Sequence, residues 1–385
     1  MASRTVFSQV IQLIPRSEFQ AIVEKHGADR RVRSLDSWTW FGSLLFSQLT
    51  GHDSIRAIER VFAHSDSKME GMGFGPVRKS TLADANKNRS LAVLEDVFRY
   101  ALARAAKHAP KKNGFRFNGT VFALDSTTIE LCLELCPWAR FHHGKGAVKL
   151  HTAIDIAGDL PQFTVVTEGR THDMKAAREN LSFKPGDVVA MDRAYVDYAW
   201  LNELNIGRVT FVTRAKKNCR YKVLECRSTD RTRGYMADQT IALKSLRGKD
   251  YAGKLRRISL RDPDTGKWLV FLTNNFELSY RTICAIYKAR WKVELFFKTL
   301  KQNLRIKKFL GTSVNAVKSQ ILVALIAYLL VQLLRFTVKS NISVPDAMAV
   351  IGTLLLLCEP IYRLLGKLPR TTRHPPSAQF EFGFV

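Results

Sequence analysis

Acidic residues are scarce in this chain beside its basic ones. It holds 34 Asp and Glu against 60 Lys and Arg, a net charge of +26 over 385 residues. A surface that basic needs a polyanion, with nucleic acid the first candidate and an anionic membrane surface the second. Cysteine is also sparse, with six residues at 132, 136, 219, 226, 284 and 358. Only Cys132 and Cys136 lie close together. No second pair completes a zinc pattern, and His142 and His143 form no familiar spacing with them. Reduced structural thiols in a cytoplasmic protein are therefore expected. Long apolar runs are missing too. The longest, "ILVALIAYLLVQLL" (321–334), is interrupted by Gln332 and is short for a bilayer span, so it reads as a buried helix with no membrane role. The opening "MASRTVFSQVIQLIPRSEF" is charged throughout, so no signal peptide is expected. Neither an internal repeat nor a low-complexity segment is evident.

What is there changes texture along the chain. With 46% hydrophobic residues, the chain has material for two or three domains by the usual size rule. Residues 1–115 read as helical. "SIRAIERVFA" (54–63) and "KSTLADANKNRSLAVLEDVFRYALARAAK" (79–107) flank a Gly-rich connection, with Ser80 and Thr81 as N-caps of the second segment. Two helices around a turn, the second carrying Lys87, Asn88 and Arg89, would suit helix-turn-helix-like docking on DNA. Residues 116–213 hold short apolar or β-branched runs, "GTVFALDST", "VKLHTAIDIAG", "LPQFTVVTEG", "GDVVAMDRAY" and "RVTFVTR", alternating later with helical stretches. That pattern predicts an α/β mixed sheet covered by helices. From 214 to 261 there are 15 Lys or Arg against four acids, in strand-like, Gly-containing segments. With "KWLVFLTNN" they read as a β-rich basic insertion over 214–275. Helices return over 276–340. Residues 341–385 add one more helix and a Pro- and Arg-rich tail expected to be loosely ordered.

The chemistry lies in three carboxylates. Asp125 ends the run "TVFALD" and Asp192 ends "DVVAM", so two strands of one sheet would deliver their acids to the same edge. Alone, each is equally a cap or turn residue. The third comes from "YKARWKVELFFKTLKQ" (287–302), which has five basic residues and a single acid, Glu294. At about 100° per residue, Tyr287, Arg290, Glu294, Lys298 and Lys301 share one quarter of a helix, while Val293, Phe296 and Leu300 face elsewhere. By itself this is also the pattern of a solvated face with weak i,i+4 ion pairs. Three converging acids in so basic a chain suit Mg²⁺, a hard ion that prefers oxygen ligands and accepts phosphate or water as well. Two such ions can assist phosphodiester displacement. Arg290 would then grip phosphate, with Lys298 and Lys301 adding positive charge.

"ALDST", "AMDRAY" and "YKARWKVELFFKTLK" resemble the signatures of bacterial insertion-sequence DDE transposases. The subgroup resembled is the insertion-sequence-four family with its Y-x2-R-x3-E-x6-K signature, met here by Tyr287, Arg290, Glu294 and Lys301. "KLH" (149–151), "THD" (171–173) and "FLTNN" (271–275) also resemble its intervening stretches, and the similarity runs to about residue 335. The resemblance implies a ribonuclease H-like core interrupted by a β-rich insertion and preceded by a helical N-terminal DNA-binding domain. It implies a catalytic, metal-binding triad of Asp125, Asp192 and Glu294 holding Mg²⁺, as two ions, with Mn²⁺ able to substitute. Tyr287, Arg290 and Lys301 would contact DNA phosphates, and Trp268 would trap a flipped base unless "KWLVFL" is simply core. Ala194 departs from the glycine usual after the second acid. Double-stranded DNA, as terminal inverted repeats and target, and a homodimer in a synaptic complex are the implied partners, acting at the bacterial nucleoid. A silent DNA-binding regulator and a nuclease without strand transfer remain the other readings.

Overall fold

The computed structural model describes residues 4–366 apart from 112–113, 116, 118, 140, 142–145, 245–249, 263–264, 305 and 307. The expected loose tail, and His142 and His143, lie outside the described residues. The chain opens with helices α1 (Val6–Ile11), α2 (Arg16–His26), α3 (Ser37–Thr50), α4 (Ile55–His64), α5 (Asp66–Glu70), α6 (Lys79–Asn88) and α7 (Ala92–His108). The segment expected as one helix over 79–107 is thus two. Arg89 breaks it by taking an extended backbone while its guanidinium turns inward to the Leu35 carbonyl and Ser37 Oγ. Asn315 Nδ2 fixes the bend by donating to the carbonyls of Asn86 and Arg89. Arg89 is therefore spent on the fold and does not point to an outside ligand. Nor do Ser80 and Thr81 cap α6. Its cap position is Arg78, and Glu59 of α4 accepts the Lys79 N–H from across the turn.

Strands β1 (Val121–Leu131), β2 (Gly146–Asp155) and β3 (Leu160–Glu168) follow. Next come α8 (Asp173–Asn180), β4 (Val188–Met191), α9 (Tyr198–Ile206), β5 (Thr210–Arg214), β6 (Tyr221–Arg227), β7 (Tyr235–Leu243), β8 (Leu255–Arg261) and β9 (Trp268–Thr273). They form one nine-stranded sheet in the order β3-β2-β1-β4-β5-β9-β8-β7-β6. The pairs β1–β4 and β4–β5 are parallel, and the other ladders are antiparallel. The fold is thus mixed α/β with a mostly antiparallel sheet. Helices α10 (Tyr280–Ala289), α11 (Trp291–Asn303), α12 (Val314–Thr337), α13 (Val344–Thr353) and α14 (Ile361–Gly366) close it.

Strand alternation sorts the core into two layers. Val121, Ala123, Val188 and Ala190 join a cluster with α10–α13 and the N-terminal helices. Phe122, Leu124, Val189 and Met191 pack on the other face against α8 and α9, through Ala177, Trp200 and Leu201. The apolar run 321–334 lies within α12. That helix is long and apolar enough to cross a membrane, yet 89% of its most apolar stretch is buried here among other helices.

Two expectations around the acids change. Asp125 does not end its strand. β1 runs on to Leu131, because Ser126 to Leu131 continue to pair with β2 after β4 has stopped. The helix expected through 287–302 also breaks, at Arg290. There Arg290 N–H bonds the Tyr287 carbonyl and Val293 N–H bonds the Arg290 carbonyl, replacing helical i→i−4 bonds by tighter turns.

Candidate active site

Parallel pairing sets the first two acids side by side. Leu124 of β1 is opposite Met191 of β4, so Asp125, within β1, and Asp192, just past the end of β4, lie at the same level of adjacent strands. By alternation both follow the residues that face α10–α12. Asp192 Oδ1 accepts the Arg193 N–H at 2.5 Å, and its carbonyl accepts Thr213 Oγ1 at 3.3 Å, which holds the turn after β4. Asp125 Oδ1 accepts the Ser126 N–H at 2.8 Å.

Glu294 enters from the first turn of α11. Arg290 joins it to the sheet, Nη1 donating to Asp125 Oδ2 at 2.7 Å and Nη2 to Glu294 Oε1 at 2.6 Å. The guanidinium lies over the Tyr287 ring at 5.7 Å. Tyr287 in turn packs on Phe271 of β9 at 4.8 Å, and burial raises its phenol pKa. Burial pushes the Asp125 carboxyl up to about 6, Arg290 and the Ser126 N–H pull it back, and Asp192 and Glu294 add their repulsion. Asp125 therefore feels both of the other acids. Hard oxygen donors under mutual repulsion suit a divalent cation in type. As they stand, however, no three acidic, His or Cys side chains among the described residues are gathered closely enough to hold one, and the Arg290 fork lies between two of the acids.

The remaining expected residues are less tightly placed. Lys298 is exposed on α11 and Lys301 is half-buried in its last turn. Trp268 is not core. It is 57% exposed, because as the first residue of β9, opposite Arg261, it stands at the sheet's margin. Since β9 runs antiparallel to β5, Trp268 lies at the same end of the sheet as Asp125 and Asp192, three strands from β1. Ala194 is exposed in a short 3₁₀ turn.

Residues 116–330 match the transposase DDE domain family model. The chain belongs to the transposase DDE domain family. Residues 2–75 match a separate domain of unknown function. Among named relatives, y4zB of Sinorhizobium fredii (strain NBRC 101917 / NGR234), named as a transposase, is 32% identical over 256 residues, 66% of this chain and 70% of its own. A transposase for insertion sequence element IS5377 of Geobacillus stearothermophilus is 30% identical over 235 residues, 60% of this chain and 61% of its own. A third, for element IS4SA of Synechocystis sp., is 26% identical over 295 residues, covering 73% and 78%. A piggyBac transposase synaptic complex with hairpin DNA superposes at a TM-score of 0.46 and 11% identity over 94% of this chain and 82% of its own, too loose a likeness to carry an argument.

The DDE domain also contains a polar cluster that sequence reasoning missed, on the face of the sheet opposite Asp125. Asp173 Oδ1 accepts Ser126 Oγ at 2.9 Å and Lys149 Nζ at 3.1 Å, with His151 Nδ1 at 3.6 Å. Burial pulls the His151 imidazole down to about 4 despite that carboxylate. The Tyr195 hydroxyl is buried without a partner among the described residues, and burial together with Asp125 and Asp173 raises its pKa. The stretches "KLH" and "THD" carried these residues, and alternation along β2 puts Lys149 and His151 on one face. Lys292 was missed as well. It donates to the Ile156 carbonyl at 2.6 Å and pairs with Asp159 at 3.0 Å, tying α11 to the β2–β3 turn.

Proposed function

We propose that this chain is the transposase of its own insertion sequence, a member of the insertion-sequence-four (Y-R-E-K) subgroup with a ribonuclease H-like core. In this reading residues 116–213 and 276–340 form the core, 214–275 its basic β-rich insertion, and 1–115 a DNA-binding domain. The observation that supports it is the parallel register that sets Asp125 and Asp192 at one level of adjacent strands, with Glu294 linked to Asp125 through an arginine suited to phosphate. Asp125, Asp192 and Glu294 would hold Mg²⁺, two ions or Mn²⁺ in its place, which when bound polarises the phosphodiester and acidifies the attacking water.

The chain's own groups do the positioning. Tyr287, braced by Phe271, fixes the plane of Arg290, whose fork matches two phosphate oxygens. Lys301 and Lys298 extend the positive track along α11, and Trp268 offers a stacking face at the same end of the sheet. Each chemical step is an in-line displacement, so the chain contributes orientation and charge stabilisation. The ligand is double-stranded DNA, the element's terminal inverted repeats and then the target, held by a dimer.

The test is cleavage of a duplex carrying one element end and its flanking junction, with Mg²⁺, by the wild type and by Glu294→Gln. Cutting at the junction by the wild type, with retained binding but no cutting by the variant, is expected. Binding without cutting by either, even with paired ends and Mn²⁺, would make the chain a DNA-binding regulator. Cutting without any strand-transfer product would make it a nuclease.

A further inference from the structure

The Arg290 fork uses the same carboxylate oxygens that the reading above assigns to metal. Asp125 Oδ2 and Glu294 Oε1 each accept one of its Nη groups, at 2.7 Å and 2.6 Å, and only 14% of the arginine side chain is exposed. A divalent ion of the Mg²⁺ type must take those lone pairs for itself. A guanidinium and such an ion cannot both have them.

We propose that Arg290 is a blocking residue as well as a phosphate ligand: without DNA it holds Asp125 and Glu294 against metal loading, and a DNA phosphate opens the site by drawing the guanidinium away. This rests on the reading of the triad as metal ligands. Three features favour release. Arg290 sits at the joint between α10 and α11, where helical bonding is already interrupted. Its Nε is buried without an acceptor among the described residues, so the hydrogen bonds described for the head group are those of its two Nη groups. A phosphate offers the same paired, charge-assisted geometry as the two carboxylates it would replace. The exchange also prepares the site for metal, because once the guanidinium leaves, the acids are left uncompensated and favour a cation. Metal binding then depends on DNA, and by linkage DNA binding depends on metal to the same factor.

The experiment is a Mn²⁺ titration of the full chain, followed by the electron paramagnetic resonance signal of free Mn²⁺. It is run with and without a duplex carrying the element end. Arg290→Gln should bind Mn²⁺ about tenfold tighter than wild type without DNA, a typical size for such couplings. DNA should tighten the wild type by a similar factor and leave the variant unchanged. Lys288→Gln, which removes an exposed charge from the last turn of α10 two residues away, should leave the DNA-free affinity close to wild type. An equal gain there would reduce the effect to general charge and overturn the proposal. Arg290→Lys keeps the charge without the fork and gives the same reading should the glutamine variant fail to fold. If Asp125→Asn and Glu294→Gln abolish Mn²⁺ binding but Arg290→Gln and Arg290→Lys match wild type, the block is wrong and the triad stands. If the two acid variants bind Mn²⁺ normally, the metal reading itself falls, and the block with it.

Discussion

Replacing Asp238 by alanine would strand a buried charge. Asp238 and Arg256 are 2% and 3% exposed. They form a bidentate pair between β7 and β8, Nε to Oδ1 at 2.8 Å and Nη2 to Oδ2 at 2.6 Å. The free Nη1 donates to the carbonyls of Leu278 at 2.5 Å and Asn275 at 3.3 Å, just before Ser279 caps α10. Arg227 stands 3.6 Å away on Asp238 Oδ1, so a second guanidinium loses one of its two carboxylate partners and keeps Glu225 at 3.5 Å. Removing one partner of a buried pair costs about 3–5 kcal/mol, whereas replacing both with apolar residues of similar volume is often close to neutral. The double variant Asp238→Leu with Arg256→Met leaves two carbonyls without that donor, at up to about 1–3 kcal/mol each if fully buried; both belong to half-buried residues that water can reach, so it should be more stable than Asp238→Ala. Urea unfolding measures both. Hydrogen exchange should locate the loosening in the α10 amides, because Arg256 ties β8 to the segment that leads into that helix. A cost below about 1 kcal/mol for Asp238→Ala, or a double variant less stable than the single, would refute the reasoning.

Gly352→Ala would place a Cβ 2.3 Å from the Leu49 carbonyl oxygen, a backbone atom that cannot turn aside. The variant should lose about 1–3 kcal/mol as α13 is pushed off α3, read as a lower Tm. His151 holds its pKa near 4 in the fold against about 6.5 unfolded. Above pH 6.5 it contributes no pH dependence. Below that, the unfolded chain takes up a proton that the fold refuses, so stability falls between pH 6.5 and 4 by up to about 3 kcal/mol. His151→Gln should flatten that part of the Tm–pH curve, and an unchanged slope would contradict the account. Trp268→Ala should change stability by under about 0.5 kcal/mol, as surface positions do. Affinity for a cut element end, measured by fluorescence anisotropy, should fall by about 1–3 kcal/mol if the ring stacks on a base.

The strands carrying Asp125 and Asp192 were legible because short runs of β-branched and apolar residues suit buried strands. Their register was not, since no local signal sets Leu124 opposite Met191. The extension of β1 was readable in Thr127, Thr128 and Ile129, β-branched residues that suit a strand, but the acid drew attention to a strand end. The breaks at Arg89 and Arg290 lack glycine and proline altogether. Each occurs where an arginine is drawn to partners far along the chain, Leu35 in one case and Asp125 in the other, and helical periodicity contains no such information. The exposure of Trp268 was hidden for a different reason. Its sequence neighbours are strand-like, but its position at the sheet's margin depends on how β9 pairs with β8 and β5.

One unbroken sheet also acts as a measuring rod. From β1 to the outer strand β6 there are six lateral steps, about 29 Å at 4.8 Å each before twist shortens the path. That is at most about 8 base pairs of duplex. The rod is built of backbone ladders, so its length does not depend on which side chains decorate it. A DNA strand touching both β6 and Asp125 would thus be gripped at a set interval from the cut, and insertions in the loops between strands would leave that interval unchanged.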